Sequence, residues 1–297
     1  MSRCVLVIGQ RGQLARALAR HPSIGGHPVR CLGRAELDAT DTAALDAALH
    51  AAAPVVIVNA AAYTAVDKAE SEPAAALALN AALSGALAAH AAAQGIPLIH
   101  VSTDYVFDGT GTRPYREDDP IAPLGVYGAT KAEGERLIRQ ALPRHVILRT
   151  AWVWSEDGHN FVKTMLRLGR EREEVRVVAD QRGSPTYAGD LAAAIATLAA
   201  AAVTDRERLA WGTHHLTNRG ETTWHGFAAA VFAEAAAVGL KTPRLTAITT
   251  ADYPTPARRP AYSVLDTTAA ERRLGVALPD WRTSLATAFP KVLAALP

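Results

Sequence analysis

Residues 4–19 read CVLVIGQRGQLARALA: five apolar residues in a row, Gly9, Gly12 three positions later, then Leu14, Ala15, Ala17 and Leu18 at helical spacing. An unbroken apolar run of this length is a strand buried on both faces. The change from a run to a 3.6-residue period across a glycine turn is the opening of a βαβ unit. Gly9, Gly12 and Ala15 set a G-x-x-G-x-x-A spacing at that turn. A tight turn there brings backbone N–H groups to a pyrophosphate at the positive end of the helix. The spacing departs from G-x-G-x-x-G, and a glycine-marked turn is often only a turn. Its place after the first strand of the chain turns the reading toward a dinucleotide.

Working outward, the same alternation repeats. PVRCL at 28–32, PVVIVNAAA at 54–62, IPLIHVS at 96–102 and HVILRTAWVW at 145–154 are apolar runs; TAALDAALHAAA at 42–53 and a stretch near 73–93 carry helical period. This predicts an α/β fold, a doubly wound parallel (Rossmann) sheet. Beyond residue 154 the pattern loosens into VRVVADQRGSPT at 175–186, WGTHHLTN at 211–218 and a proline-rich stretch at 243–260. The expected division is 1–154, mainly dinucleotide-binding, and 155–297, a smaller C-terminal substrate-binding lobe with some segments returning to the Rossmann core. The alanine run at 199–202 continues a helix, and Asn160, after Gly158, reads as a helix N-cap.

With 297 residues, 49% hydrophobic and 20% charged, the chain buries a sizeable core and is too apolar for disorder. A net charge of +2 leaves no electrostatic footprint for nucleic acid. Cys4 and Cys31 lie in strand-like runs and imply no disulfide. The first apolar stretch is too short for a signal peptide or a span, so the expectation is a cytoplasmic protein with no membrane partner. The ten histidines show no zinc spacing, and His214 and His215, neighbours on an apparent strand, point to opposite faces. No metal is expected.

The sharper chemical signal is YGATK, Tyr127 to Lys131. On a helix the i,i+4 spacing puts phenol and ammonium on one face, and a nearby cation favours phenolate. The bland reading is a surface tyrosine that happens to precede a lysine. Against it stands the placement: the pair follows IPLIHVS and STDYVFDG, and parallel sheets present their chemistry at the carboxyl ends of strands. Ser102 and Thr103 supply hydroxyls there. At the end of the second strand Gly33 and Arg34 stand where an NADH-preferring enzyme commonly has an acid. That predicts NADPH, with NADH as the weaker second choice; the nearest acids, Glu36 and Asp38, come later in the chain, and whether Glu36 reaches the ribose is left open. Arg258 and Arg259 offer planar donors to a diphosphate, or are solvated surface charges.

Seven blocks in order resemble the dTDP-4-dehydrorhamnose reductases, which are extended short-chain dehydrogenases. They are VNAAAYTAVDKAESEP (58–73), VSTDYVFDGTG (101–111), VYGATKAEGE (126–135), RTAWVW (149–154), NFVKTMLRL (160–168), DQRGSPT (180–186) and YPTPARRPAYSVLDT (253–267). The resemblance implies reduction of the 4-keto group of a dTDP-linked deoxysugar. Tyr127 is then the proton donor, Thr103 holds the oxygen, and Lys131 anchors the ribose and lowers the phenol pKa. It places Gly12, Gln13 and Leu14 on the pyrophosphate, Asp38 and Ala39 at the adenine, and Ala62, Tyr63 and Thr64 along the ribose and nicotinamide. Thr103, Asp104 and Trp152 line the sugar, with Trp154 in the core. Some members hold a divalent ion at a dimer interface through glutamates; Ala15, Arg16 and Gly189 stand here instead, so a homodimer is allowed but that metal does not carry over. Two other functions share these features: an epimerase or dehydratase that keeps its cofactor, and a non-catalytic dinucleotide-binding subunit of methionine adenosyltransferase. The intact Thr103, Tyr127 and Lys131 speak against the latter.

Overall fold

The computed structural model describes residues 3–34, 36 and 41–296. In order the first half runs β1 (Cys4–Ile8), α1 (Gln13–Ala19), β2 (Ser23–Ile24), β3 (His27–Leu32), α2 (Thr42–Ala52), β4 (Pro54–Asn59), α3 (Val66–Ser71), α4 (Pro73–Leu77), α5 (Leu83–Gln94), β5 (Leu98–Thr103), α6 (Val126–Ala141) and β6 (His145–Thr150). The second half adds β7 (Val153–Trp154), α7 (Phe161–Glu171), β8 (Glu174–Val178), β9 (Arg182–Gly183), β10 (Thr186–Tyr187), α8 (Ala188–Thr204), β11 (Gly212–His215), β12 (Thr222–Thr223), α9 (Trp224–Ala237), β13 (Arg244–Ile248), α10 (Thr268–Leu274) and α11 (Trp281–Ala294).

The main sheet has the order β11-β6-β5-β4-β1-β3-β2, parallel except for the β2–β3 hairpin at its edge. Period-two alternation sorts β1 between two cores. Val5 and Val7 face Leu14, Leu18, Leu191 and Ile195 of α1 and α8. Cys4, Leu6 and Ile8 face Leu45, Leu49, Leu83 and Leu87 of α2 and α5. Both faces are therefore covered, which is why these strands read as runs rather than as alternations. Cys4 and Cys31 are free thiols, Cys31 only half-buried.

Small residues let the helices sit close to the sheet, and local chemistry stops them. The Asp41 carboxylate accepts from Ala44 N–H to start α2, and Gly95, at φ 64°, ends α5 in the left-handed region. The stretch Pro73–Gln94 is continuous and widens into one π turn at Ala78–Ala82. It is long and apolar enough to cross a membrane, yet half of it is buried inside this fold.

Beyond β6 the chain returns twice, with α8 covering one face and β11 extending the sheet beside β6. The rest packs around a separate aromatic core of Trp154, Phe227, Trp281 and Phe289 between α7, α9 and α11. Asn160 caps α7, its side chain accepting from Lys163 N–H at 3.2 Å.

Candidate active site

The carboxyl ends of β1, β4, β5 and β6 and the first turn of α6 converge on one edge of the sheet, where a doubly wound fold places its ligands. At β1, Gly9 has φ 124°, a conformation that a Cβ would strain; an added Cβ would also meet Ala15 and the Ala60 backbone. Gly12 starts α1 with no atom within 4 Å of where its Cβ would be, so the approach to Gln13 and Leu14 N–H is open and fits a pyrophosphate. The Gln13 side chain is tied to β7 and the residue after it, donating to Val153 O at 3.3 Å and accepting from Ser155 Oγ at 3.0 Å. Leu14 is buried in the core.

At the end of β3, Arg34 is exposed and the Glu36 carboxylate accepts from Gly33 N–H at 2.9 Å. An acid therefore does stand at this strand end, which the sequence reading held open. Asp38 and Ala39 lie outside the described residues. After β4, the Ala62–Thr64 loop is held rigid at Tyr63. Its N–H donates to Asn80 Oδ1 at 2.8 Å, its carbonyl accepts from Asn80 Nδ2 at 3.3 Å, and its phenol donates to Glu72 at 2.6 Å. That phenol is pushed above its ordinary value by the Glu72 hydrogen bond, with the Lys68 and Arg34 charges opposing.

Adjacent residues of β5 take opposite sides. Ser102 Oγ turns away and donates to buried Glu135 at 2.6 Å, so of the two hydroxyls only that of Thr103 serves this edge. Thr103 Oγ1 donates to Asp104 Oδ1 at 3.0 Å. Asp104 is buried, its Oδ2 has no hydrogen-bond partner, and burial pushes its carboxyl up to about 6, with the nearby Ser263 and Thr103 hydroxyls opposing.

Tyr127 occupies the first turn of α6, edge-on to Tyr105 with ring centroids 5.7 Å apart. Gly128 is needed beside it, because a Cβ there would run into the Tyr105 carbonyl. The start of α6 is capped from another element: Glu70 Oε1 accepts from Val126 N–H at 2.8 Å. Burial pushes the Tyr127 phenol up to about 12, opposed by the Thr103 hydroxyl. Lys131 lies four residues on, fully buried, and its Nζ donates to Val101 O at 2.7 Å and sits 3.1 Å from His100 Nε2. Burial pulls its ammonium down to about 8 against the pull of Glu135. Desolvation dominates both groups, and Lys131 is turned toward β5.

A pocket beside Tyr127 is lined by Val66, Glu70, Tyr105, Leu124, Ala257 and Arg258 among others. Arg258 is exposed at its rim, but Arg259 is not available as a free donor. It holds Asp67 in a two-pronged pair at 3.1 and 2.7 Å and so fastens the 253–260 loop to α3. Trp152 has φ 46°, a strained value for a bulky residue, and one face of its ring is stacked on Trp224 at 3.5 Å. A Cβ on Gly183 would strike the same ring, so Trp152 has only part of its surface to offer. Trp154 is in the core.

Sequence reading missed the supports of this edge: Glu70, Asn59, Asn80, His100 and the buried Glu135–Arg149 pair. A polar residue inside an all-apolar run, such as His100 in IPLIHVS, is the signal that marks the first of such groups. Among the described residues one set of metal-ligating side chains converges, Asp46, His50 and His90, away from this edge. Hydrogen bonds already engage it: His90 Nδ1 to Asp46 at 2.7 Å and His50 Nδ1 to Asp46 O at 2.9 Å.

Comparison with known proteins agrees with this geometry. The family model of the RmlD substrate binding domain matches residues 2–293. A dTDP-4-dehydrorhamnose reductase of Burkholderia thailandensis is 45% identical over 94% of this chain and 95% of its own length. A solved dTDP-4-dehydrorhamnose reductase of Clostridium acetobutylicum superimposes with TM-score 0.90 at 35% identity, covering 97% of this chain and 99% of its own. The Bacillus anthracis reductase in complex with NADP gives TM-score 0.90 at 33% identity, covering 98% and 100%. With the Thr103, Tyr127 and Lys131 edge in place and matches of this length, the chain belongs to the dTDP-4-dehydrorhamnose reductase family.

Proposed function

We propose that this protein reduces the 4-keto group of dTDP-4-dehydro-L-rhamnose to dTDP-L-rhamnose with NADPH. The observation that carries the proposal is full-length membership of a reductase family together with an intact Thr103, Tyr127 and Lys131 at one sheet edge.

When bound, the nicotinamide supplies a hydride to the keto carbon. Gly9, Gly12, Gln13 and Leu14 hold the pyrophosphate at the start of α1, Arg34 meets the 2′-phosphate, and Ala62, Tyr63 and Thr64 flank the ribose and nicotinamide. Asp38 and Ala39 are assigned to the adenine on the resemblance alone. Thr103 donates to the carbonyl oxygen, and Tyr127 gives that oxygen its phenolic proton as charge develops. Lys131 holds the ribose. Asp104 and the exposed edge of Trp152 contact the sugar, and Arg258 meets the diphosphate at the pocket rim. The residues beyond 154 that lie outside the sheet form the substrate lobe. In the same reading the enzyme works in the cytoplasm on a free nucleotide sugar, with neither nucleic acid nor membrane as partner, alone or as a homodimer.

The test is NADPH consumption, followed by absorbance, with dTDP-4-dehydro-L-rhamnose as substrate. Stoichiometric formation of dTDP-L-rhamnose is expected. Consumption only with a different 4-keto nucleotide sugar, or a tightly held cofactor that is never released, overturns the assignment.

A further inference from the structure

Away from the sheet edge that holds Tyr127, two neighbouring helices each present a pair of polar side chains four residues apart: Asp46 and His50 on α2, His90 and Gln94 on α5. The i,i+4 spacing stacks each pair on one helix face, and α2 and α5 pack on the same core, so the two faces meet. His90 Nδ1 is 2.7 Å from Asp46 Oδ1, and His50 Nδ1 is 3.3 Å from Asp46 Oδ2. The imidazoles stand edge-on, with ring centroids 4.8 Å apart. One ligand atom from each of the three residues lies within 4.8 Å of the other two. Around a tetrahedral ion with bonds of about 2.1 Å the ligand atoms are about 3.4 Å apart, so small side-chain rotations close this set on a metal.

The hydrogens inside this cluster are the ones a metal replaces. His90 Nδ1–H donates to the Asp46 carboxylate, and His50 Nδ1–H to Asp46 O at 2.9 Å. Both nitrogens give up that hydrogen on ligation. The His50 ring then carries its hydrogen on Nε2, which faces the Gln94 amide at 3.3 Å; with its amide flipped, Gln94 presents an oxygen there and fixes the ring. The Asp46 carboxyl is held below its ordinary value by the His90 hydrogen bond, with desolvation opposing and the His50 charge adding, so it ligates as an anion. His90 is buried, which fixes one ligand, while Asp46 and His50 are exposed and leave the site reachable. A groove of about 190 Å³ opens beside them, lined by Arg3, Leu49, Ile96, His50, His90 and Gln94 among others. It has room for the remaining ligands of an ion, water or, beside Arg3, a small anion.

We propose that Asp46, His50 and His90 form a binding site for one divalent transition ion, zinc above all, which clamps α2 to α5. Two imidazoles and a carboxylate suit zinc, cobalt or nickel, whereas magnesium and calcium call for oxygen ligands throughout. None of the three residues lies at the strand ends or on α6, so the ion acts on stability and takes no part in the reduction. The proposal stands apart from the reductase reading. No zinc spacing shows in the sequence because each helix supplies half of the site, D-x-x-x-H at 46–50 and H-x-x-x-Q at 90–94. Three protein ligands, where a structural zinc finger has four, put the dissociation constant at about 1–10 µM.

The test is titration of the chelator-treated full-length protein with zinc by isothermal calorimetry, and with cobalt followed by its visible absorption. One ion per chain in that affinity range and a tetrahedral cobalt spectrum are expected. Asp46→Asn keeps an acceptor for His90 but offers no carboxylate, and His50→Ala removes an exposed imidazole, so neither disturbs the core. Each should weaken zinc by about 100-fold, the upper end of what even an outer-shell partner is worth. Zinc at about 100 times its wild-type dissociation constant should raise Tm by roughly 5 °C in wild type and by less than about 1 °C in either variant. Wild-type binding weaker than about 100 µM overturns the proposal. So does a zinc affinity or Tm shift that is the same in wild type and both variants, since the ion then sits elsewhere.

Discussion

The pair Glu135–Arg149 offers the sharpest stability test, because it is an ion pair with almost no water: the side chains are 0% and 3% exposed. Arg149 grips the carboxylate with two prongs, at 2.9 and 2.8 Å, while Ser102 at 2.6 Å and Arg139 at 3.1 Å fill its remaining lone pairs. Removing either partner leaves a buried charge without its counterion, at a cost of about 3–5 kcal/mol. Replacing both with apolar residues of similar volume removes the desolvation penalty along with the attraction. The double variant Glu135→Leu/Arg149→Met then loses only what the orphaned Ser102 hydroxyl costs, about 1–3 kcal/mol. At roughly 2 °C per kcal/mol for a chain of this size, each single variant should lower Tm by about 6–10 °C and the double by about 2–6 °C. Urea unfolding followed by circular dichroism measures all four proteins of the cycle. Losses that simply add in the double variant would refute the reading of a coupled buried pair.

The same pair fixes a sign with pH. Despite burial, the Arg149 guanidinium, with Ser102 and Arg139, holds the Glu135 carboxyl below its ordinary value. A depressed carboxyl stabilises the fold above the unfolded value, about 4.3, and loses that contribution as pH falls through the folded one. The stability gap between wild type and Glu135→Leu should therefore be constant near neutrality and narrow on acidification below about pH 4.

Three further outcomes follow from the site. Tyr127→Phe should lower kcat by about 10²-fold or more with NADPH affinity unchanged, since the ring stays and only the transferable proton goes; isothermal titration and steady-state rates decide it, and more than a tenth of wild-type turnover sinks the assignment. Wild type should favour NADPH over NADH in kcat/KM by about tenfold, the lower end of what one charge-assisted hydrogen bond gives. Arg34→Ala should erase that preference and Glu36→Gln should widen it, because Glu36 holds a carboxylate at the same strand end; an unchanged ratio in both refutes the reading. Arg258→Ala should raise KM for the nucleotide sugar and spare NADPH binding, whereas Arg259→Ala should act through the loop it fastens to Asp67, lowering Tm by about 2 °C or less; equal dTDP affinity of Arg258→Ala and wild type returns Arg258 to the surface.

Which parts of this molecule were legible follows from where the information sits along the chain. Strands β1, β4, β5 and β6 are apolar runs because helices cover both faces, and Tyr127 and Lys131 are four residues apart on one helix, so both signals are local. The strand β11 reads GTHH, strand-like in sequence but without the apolar run that would have placed it in the main sheet beside β6. It is a sheet strand because its histidines find acceptors elsewhere, His214 Nε2 at Ala210 O and His215 Nδ1 at Tyr115 O. The arginines of the 253–260 loop look equivalent in sequence. Only the fold shows that Arg259 is spoken for by a partner 192 residues away while Arg258 faces the pocket. The surroundings of the lysine are the extreme case. Spacing places Lys131 beside Tyr127, but what it is beside in space is a histidine 31 residues back, oriented by an asparagine 41 residues further back still. Each of those residues looks unremarkable alone: an asparagine ending an apolar strand, a histidine inside another. Hydrogen-bond direction belongs to neither residue, because a donor is defined only by what it faces, and that pairing exists only once β4, β5 and α6 are side by side.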